Sequence, residues 1–151
     1  MRFVLALCRI VTGALFLYAA WTKLPDMATF AGEVANYRML PAVAVPFVAA
    51  VVVGVEVVAG IALVIGVFAR PAAIAISGLL IVFIAGLSQA LVRGIDLRCG
   101  CFGGDEVATW WTVVRDVGML LPALAVSIWG PGRLLPTRDD HAAPPRPAEA
   151  P

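Results

Sequence analysis

Two cysteines separated by one glycine are the residues of this sequence best suited to chemistry. Cys99, Gly100 and Cys101 lie in a glycine-rich segment, so the backbone can bend and bring the two sulfurs together. A disulfide across one intervening residue is geometrically tight, and strain makes a disulfide easier to reduce. Arg98 precedes the pair and favours the thiolate, the species that attacks disulfides. The pattern predicts a thiol–disulfide exchange pair.

Other roles for Cys99 and Cys101 stay open at this point. They could be inert loop cysteines, or they could form a static disulfide that only cross-links the loop. A zinc site is disfavoured, because zinc normally needs four ligands and His141 lies in the C-terminal tail, on the opposite side of the membrane. Two thiolates also suit linear binding of a soft ion such as Cu(I). The third cysteine, Cys8, lies in an apolar run and is expected to act as a small buried hydrophobe.

A second group of candidate residues consists of charges inside apolar stretches. Arg9 and Glu56 are the first two, and a charge is costly in lipid unless it faces the protein interior and is paired. Depth counted along antiparallel helices places both in the half of the membrane nearest the chain termini. We therefore predict a buried ion pair between Arg9 and Glu56.

Arg115 and Asp116 are expected near the opposite interface, close to the segment with the cysteines. Lys23 and Asp26, at the end of the first apolar stretch, should lie at the same level. The sequence thus predicts a polar cluster beneath the cysteines. The alternative is that these charges only specify helix register and packing.

The composition dictates which elements position these residues. Of the 151 residues, 62% are hydrophobic and 14% are charged, which is far from a soluble globular chain. The formal net charge of +1 gives no basis for binding nucleic acid. Four apolar stretches are each long enough to cross a membrane at helical rise: about 3–21, 44–67, 72–92 and 110–130. We predict an all-α integral membrane protein, a bundle of four transmembrane helices in contact with lipid.

The segments between the stretches complete the organisation. Residues 22–41 are spaced like a short surface helix, and residues 93–109 form the loop that carries the cysteines. Residues 131–151 are rich in Pro and Ala, have no periodic apolar face, and are predicted to be disordered. The bundle itself should occupy residues 1–130.

The topology follows from the even number of spans, which puts both termini on one side. Lys and Arg are nearly balanced between the two sides, and Arg146 in the tail tips the count toward cytoplasmic termini. The loop at 93–109 then faces outward, where oxidised cysteines persist. The first stretch is taken as a retained helix and not as a cleaved signal peptide, because Tyr18 and Trp21 crowd the only cleavage site.

The chain resembles the MauE/DoxX family of small four-helix bacterial membrane proteins, and the MauE branch most closely, over roughly residues 3–130. The loop segment RGIDLRCGCFG is the most distinctive feature. The other features that carry the resemblance are Arg9, Gly13, Phe16, Trp21, Thr22, Lys23, Leu24, Glu56, Gly60, Trp110, Val114, Arg115 and Asp116.

This resemblance implies a location in the bacterial inner membrane and a role in forming or reshuffling disulfides in an exported protein, beside an extracytoplasmic thioredoxin-like partner. In the MauE branch that client is the cysteine-rich small subunit of methylamine dehydrogenase. DoxX-like relatives resemble subunits of a quinone-linked oxidoreductase, which suggests quinone as a cofactor. Whether the chain is itself an enzyme stays open, as does a non-catalytic assembly role. A transporter is disfavoured, because the third stretch offers only Ser77, Ser88 and Gln89 as polar residues.

Overall fold

A computed structural model describes residues 2–95 and 108–130, and this part of the chain is entirely helical apart from turns and short connections. In chain order its elements are helix α1 (Arg2–Lys23), a 3-10 turn (Leu24–Asp26), and helices α2 (Met27–Asn36), α3 (Val45–Ile65), α4 (Ala69–Val92) and α5 (Trp110–Trp129). Helices α1, α3, α4 and α5 are long and apolar enough to span a membrane. The predicted all-α architecture with four spanning helices is confirmed.

The surface of the bundle is apolar, as contact with lipid requires. Large hydrophobic side chains such as Phe47, Val58 and Val82 point outward and are mostly exposed. Trp110 and Trp111 begin α5 and Trp129 ends it, which matches the enrichment of tryptophan at the two membrane interfaces. The chain is therefore a multi-pass membrane protein.

The four long helices form a closed ring in which α1 and α4 each contact both α3 and α5. Helices α1 and α3 approach each other closely at two glycines. A Cβ atom added to Gly13 would lie 2.8 Å from the carbonyl oxygen of Gly60. Small residues let helix backbones come this close in a membrane, where packing is the main force between helices. This contact fixes the register of α1 against α3.

The interior divides into one main cluster and smaller ones. The main cluster joins all four long helices and consists of Phe16, Ala59, Leu63, Ala69, Ala72, Ala73, Ile76, Leu80, Ala123 and Val126. Cys8 is half-buried and packs against it with a free thiol. Helix α2, about 15 Å long by helical rise, is too short to span and packs on the first half of α3.

The connection between α4 and α5 is described only at its two ends. Ala108 is buried against Leu87 and Ala90 of α4. Thr109 caps α5 reciprocally with Thr112: the backbone N–H of Thr109 donates to the Thr112 hydroxyl at 3.2 Å. The loop is thus anchored at the end of the bundle where α1 ends and α3 begins. The tail predicted to be disordered, residues 131–151, lies outside the described residues.

Candidate functional site

An ion pair between α1 and α3 lies inside the bundle. Lys23, the last residue of α1, donates from Nζ to Oε1 of Glu56 at 2.5 Å. Both residues are almost completely buried, with 5% and 4% of their surfaces exposed. Two opposite charges removed from water need this close contact, because each alone would be strongly unfavourable there.

Helix α2 closes the site from the side. Phe30 is buried against Ala20, Ala49 and Val53, and its ring centroid lies 5.1 Å from the Lys23 ammonium. This distance permits a cation–π interaction, which is strongest where water is excluded. The sequence analysis missed Phe30, and the only signal for it was its place in the predicted surface helix.

A second charged contact comes from α5. Asp116 is 1% exposed, and its Oδ1 accepts from Nε and Nη2 of Arg115 at 3.2 and 3.1 Å. The Arg115 side chain is 35% exposed, so its guanidinium lies at the edge of the bundle while the carboxylate points inward. Arg115 therefore links a buried carboxylate to the surface.

Lys23, Glu56 and Asp116 line one cavity, which we call the core cavity. The space open to water centres in it is about 40 Å³. Its other lining residues are apolar: Leu15, Phe16, Ala19, Phe30, Val52, Leu79, Leu80, Phe83 and Met119. One oxygen of each acid, Oε2 of Glu56 and Oδ2 of Asp116, is buried and has no hydrogen-bond partner among residues 2–95 and 108–130. The cavity thus presents two spare acceptors to whatever occupies it.

The predicted ion pair between Arg9 and Glu56 is wrong. Arg9 packs instead against Gly66, the residue that ends α3 with a φ of 90°. Gly66 lies ten residues beyond Glu56, which is about 15 Å at helical rise. The prediction failed because the register between α1 and α3 places Lys23, and not Arg9, beside Glu56.

The predicted polar cluster is partly assembled. Lys23 and Asp116 reach the same cavity, and Arg115 contacts Asp116. Asp26 instead is exposed and caps α2, where its side chain accepts from the backbone N–H of Thr29 at 3.0 Å. The residues expected to lie above the cluster, Arg98, Cys99 and Cys101, are outside the described residues.

Buried hydroxyl groups extend the polar interior toward the chain termini. Thr12 of α1 and Ser77 of α4 are both buried, and neither hydroxyl has a hydrogen-bond partner within the described ranges. Arg9, Thr12, Phe16 and Lys23 follow one another at spacings of three, four and seven residues, so they share one face of α1. That spacing was the available signal for Thr12.

Comparison with known proteins places this bundle in a family. The family model described as "Methylamine utilisation protein MauE" matches residues 1–130. The chain belongs to the MauE family. That match includes the core cavity and the segment with Cys99 and Cys101.

A curated relative of this MauE-family chain is "Methylamine utilization protein MauE" of Paracoccus denitrificans. It is 40% identical over 123 residues, which cover 80% of this chain and 65% of the relative. The aligned region therefore spans just under two thirds of the relative's length. No solved structure matches the chain. Residues 2–95 and 108–130 contain no cluster of three or more His, Cys, Asp or Glu side chains suited to a metal ion.

Proposed function

We propose that this membrane protein takes part in methylamine utilisation by assisting the maturation of an exported protein, through thiol–disulfide exchange at Cys99 and Cys101. The observation that carries the proposal is the MauE family match over residues 1–130, a range that includes both cysteines. The printed name of the Paracoccus denitrificans relative refers to methylamine utilisation. The client in this proposal is the small subunit of methylamine dehydrogenase.

The placement of the loop supports the proposal. The described ends of the loop, at Ile95 and Ala108, lie at the end of the bundle where α1 stops at Lys23. A protein that docks at the loop would therefore bind at the end of the bundle that is nearer to Lys23 of the core cavity. We place this end outside the cytoplasm, in the inner membrane, with both termini in the cytoplasm.

The proposed chemistry is one exchange between a dithiol and a disulfide. A thiolate of the client dithiol attacks one sulfur of the Cys99–Cys101 disulfide, and a mixed disulfide forms between the client and this chain. The second thiolate of the client then attacks the client sulfur of the mixed disulfide and releases this chain with both cysteines reduced. The client dithiol loses two electrons and two protons, and the Cys99–Cys101 disulfide becomes two thiols. Arg98 stabilises the thiolate of the pair. An extracytoplasmic thioredoxin-like protein then reoxidises it by the same exchange.

Replacing both cysteines tests the proposal. In cells that lack the native gene and are grown on methylamine, the double Cys99→Ser, Cys101→Ser variant should reach the membrane normally but fail to restore growth. Cys8→Ser is the matched control, because Cys8 is half-buried in α1 at a distance from the loop, and it should restore growth fully. Full growth with the double variant would contradict thiol exchange and support a non-catalytic assembly role.

A trapping experiment identifies the partner directly. A single Cys99→Ser or Cys101→Ser variant leaves one thiolate that attacks the disulfide of the oxidised thioredoxin-like protein, forming a mixed disulfide and freeing one partner thiol, but the variant has no second thiol of its own to resolve that bond. Non-reducing electrophoresis and mass spectrometry should then show a reducible adduct with a thioredoxin-like protein. No adduct from either single variant would count against the exchange step.

A further inference from the structure

Two carboxylate oxygens at the core cavity have no hydrogen-bond donor among the described residues, so a bound molecule is expected to supply one. Oε2 of Glu56 and Oδ2 of Asp116 come from different helices, α3 and α5, and both are shielded from the surface. A buried acceptor on a charged group without a donor is costly, so nearly all such groups in native proteins are satisfied by protein or by water. Within the described part of the chain, no protein donor reaches either oxygen.

The size of the cavity suits water. A buried water needs at least about 10–15 Å³ of space measured at water centres, and the core cavity offers about 40 Å³. A buried water also needs two to four polar partners, and Glu56, Asp116 and the Lys23 ammonium supply them. The cavity therefore has room and partners for a cluster of two or three water molecules.

The charges around the cavity favour a neutral occupant over an ion. Glu56 is paired with Lys23, and Asp116 is bonded to Arg115, which lies outside the cavity lining. Helices α2 and α4 add only apolar residues to the lining, which are Phe30, Leu79, Leu80 and Phe83. An added anion would lie beside two carboxylates, and a metal ion would find no cluster of three ligating side chains among the described residues.

We infer that the core cavity is a hydrated proton-exchange site within the membrane, where water bridges Glu56 and Asp116 and carries protons to and from them. In the exchange step a carboxylate takes a proton from hydronium, giving a carboxylic acid and water. Arg115, partly exposed and bonded to Asp116, connects the site to the surface of the bundle. This inference does not depend on the cysteines or on the proposed function.

Infrared spectroscopy of the full-length chain in liposomes tests the inference. Stepping the pH from mildly alkaline to mildly acidic should produce a carbonyl band from a buried carboxylic acid, and the band should shift in D₂O because water reaches it. Glu56→Gln and Asp116→Asn should each remove or reduce the band. Asp26→Asn is the control, because Asp26 is exposed on α2's cap and should leave the band unchanged.

A third variant keeps all the charges and removes only the space. Ala19 is buried and lines the cavity, so Ala19→Leu should fill it and slow the shift of the band in D₂O. Exchange as fast as in the wild-type chain would overturn the inference. The inference would also be overturned if every pH-dependent band were still present in both the Glu56→Gln and the Asp116→Asn variant.

Discussion

Two regions of the bundle bury charge, and they do so in different ways. At one end, the Arg9 guanidinium lies against Gly66, which follows α3 at the negative end of the helix dipole, and the Arg9 Nε is buried without a hydrogen-bond partner among the described residues. At the other end, Lys23, Glu56 and Asp116 surround a cavity, and two carboxylate oxygens have no partner within the described part of the chain. The second region thus combines spare acceptors with space for a ligand.

The difference shows that a charge within a membrane span is not by itself a functional site. Arg9 fits a structural role, because the end of a helix can stabilise a cation and Arg9 lines no part of the core cavity. The Glu56 and Asp116 region differs from the Arg9 region because its two unpartnered carboxylate oxygens belong to residues that line the core cavity.

Breaking the buried ion pair should have the largest effect. Glu56→Gln leaves the Lys23 ammonium buried without its counter-charge, which should lower the free energy of unfolding by about 3–5 kcal/mol. Denaturant titration in detergent micelles, followed by helicity, measures this loss. The double Lys23→Met, Glu56→Leu variant removes both charges and should be much closer to wild type. If the double variant is as unstable as Glu56→Gln, the unpaired charge is not the cause.

At the opposite end of the bundle, Gly66→Ala should disturb the packing of Arg9 against the end of α3. Gly66 has a φ of 90°, and an added Cβ would collide with Nη1 of Arg9. We expect a loss of about 1–3 kcal/mol, since a side chain is strained in that backbone conformation. Gly78 in α4 is the control: it has no neighbour within 4 Å of an added Cβ. Gly78→Ala should leave stability unchanged or raise it, and equal losses at both positions would contradict the packing described.

The cation–π contact from α2 should contribute less. Phe30→Leu keeps an apolar side chain over Lys23 but removes the ring, and the expected loss is about 1 kcal/mol. Phe47 is mostly exposed on α3, so Phe47→Leu is a matched control with little expected change. Thermal unfolding of the two variants side by side measures the difference. A loss for Phe47→Leu as large as that for Phe30→Leu would point to general apolar packing.

Removing the charge of Arg9 should have the smallest effect. Arg9→Met keeps the length of the side chain and loses only the interaction with the end of α3, about 0.3–1 kcal/mol. The same denaturant titration applies. A loss near that of Glu56→Gln would show that Arg9 has an acidic partner, and the contrast between the two regions would be wrong.

The sequence was sufficient for the architecture because length and apolarity alone decide whether a helix can span. It was also sufficient to select Glu56 and Asp116 as unusual, since each lies within an apolar stretch and is costly in lipid, whereas Lys23 was selected as part of a polar cluster at the interface. The partner of Glu56 could not be predicted in this way. It depends on the register between α1 and α3, which is fixed by the Gly13–Gly60 contact and not by counting from the ends of apolar runs.

The cavity could not be predicted from the sequence either. It arises where Ala19 and the rings of Phe16, Phe30 and Phe83 leave space between four helices and α2, and such gaps follow from three-dimensional packing alone. The role of Cys99 and Cys101 remains a prediction from local spacing and family resemblance, as both lie outside the described residues.

Complementation of growth on methylamine by Asp116→Asn and Arg9→Met, at matched membrane levels, tests most directly the claim that, of the two regions with buried charge, the cavity region is the functional one. Asp116→Asn keeps the size of the side chain and changes the acceptor that faces the cavity, so growth should fall sharply. Arg9→Met should support growth close to that of the wild-type gene. Full growth with Asp116→Asn, together with failure of Arg9→Met, would contradict the account.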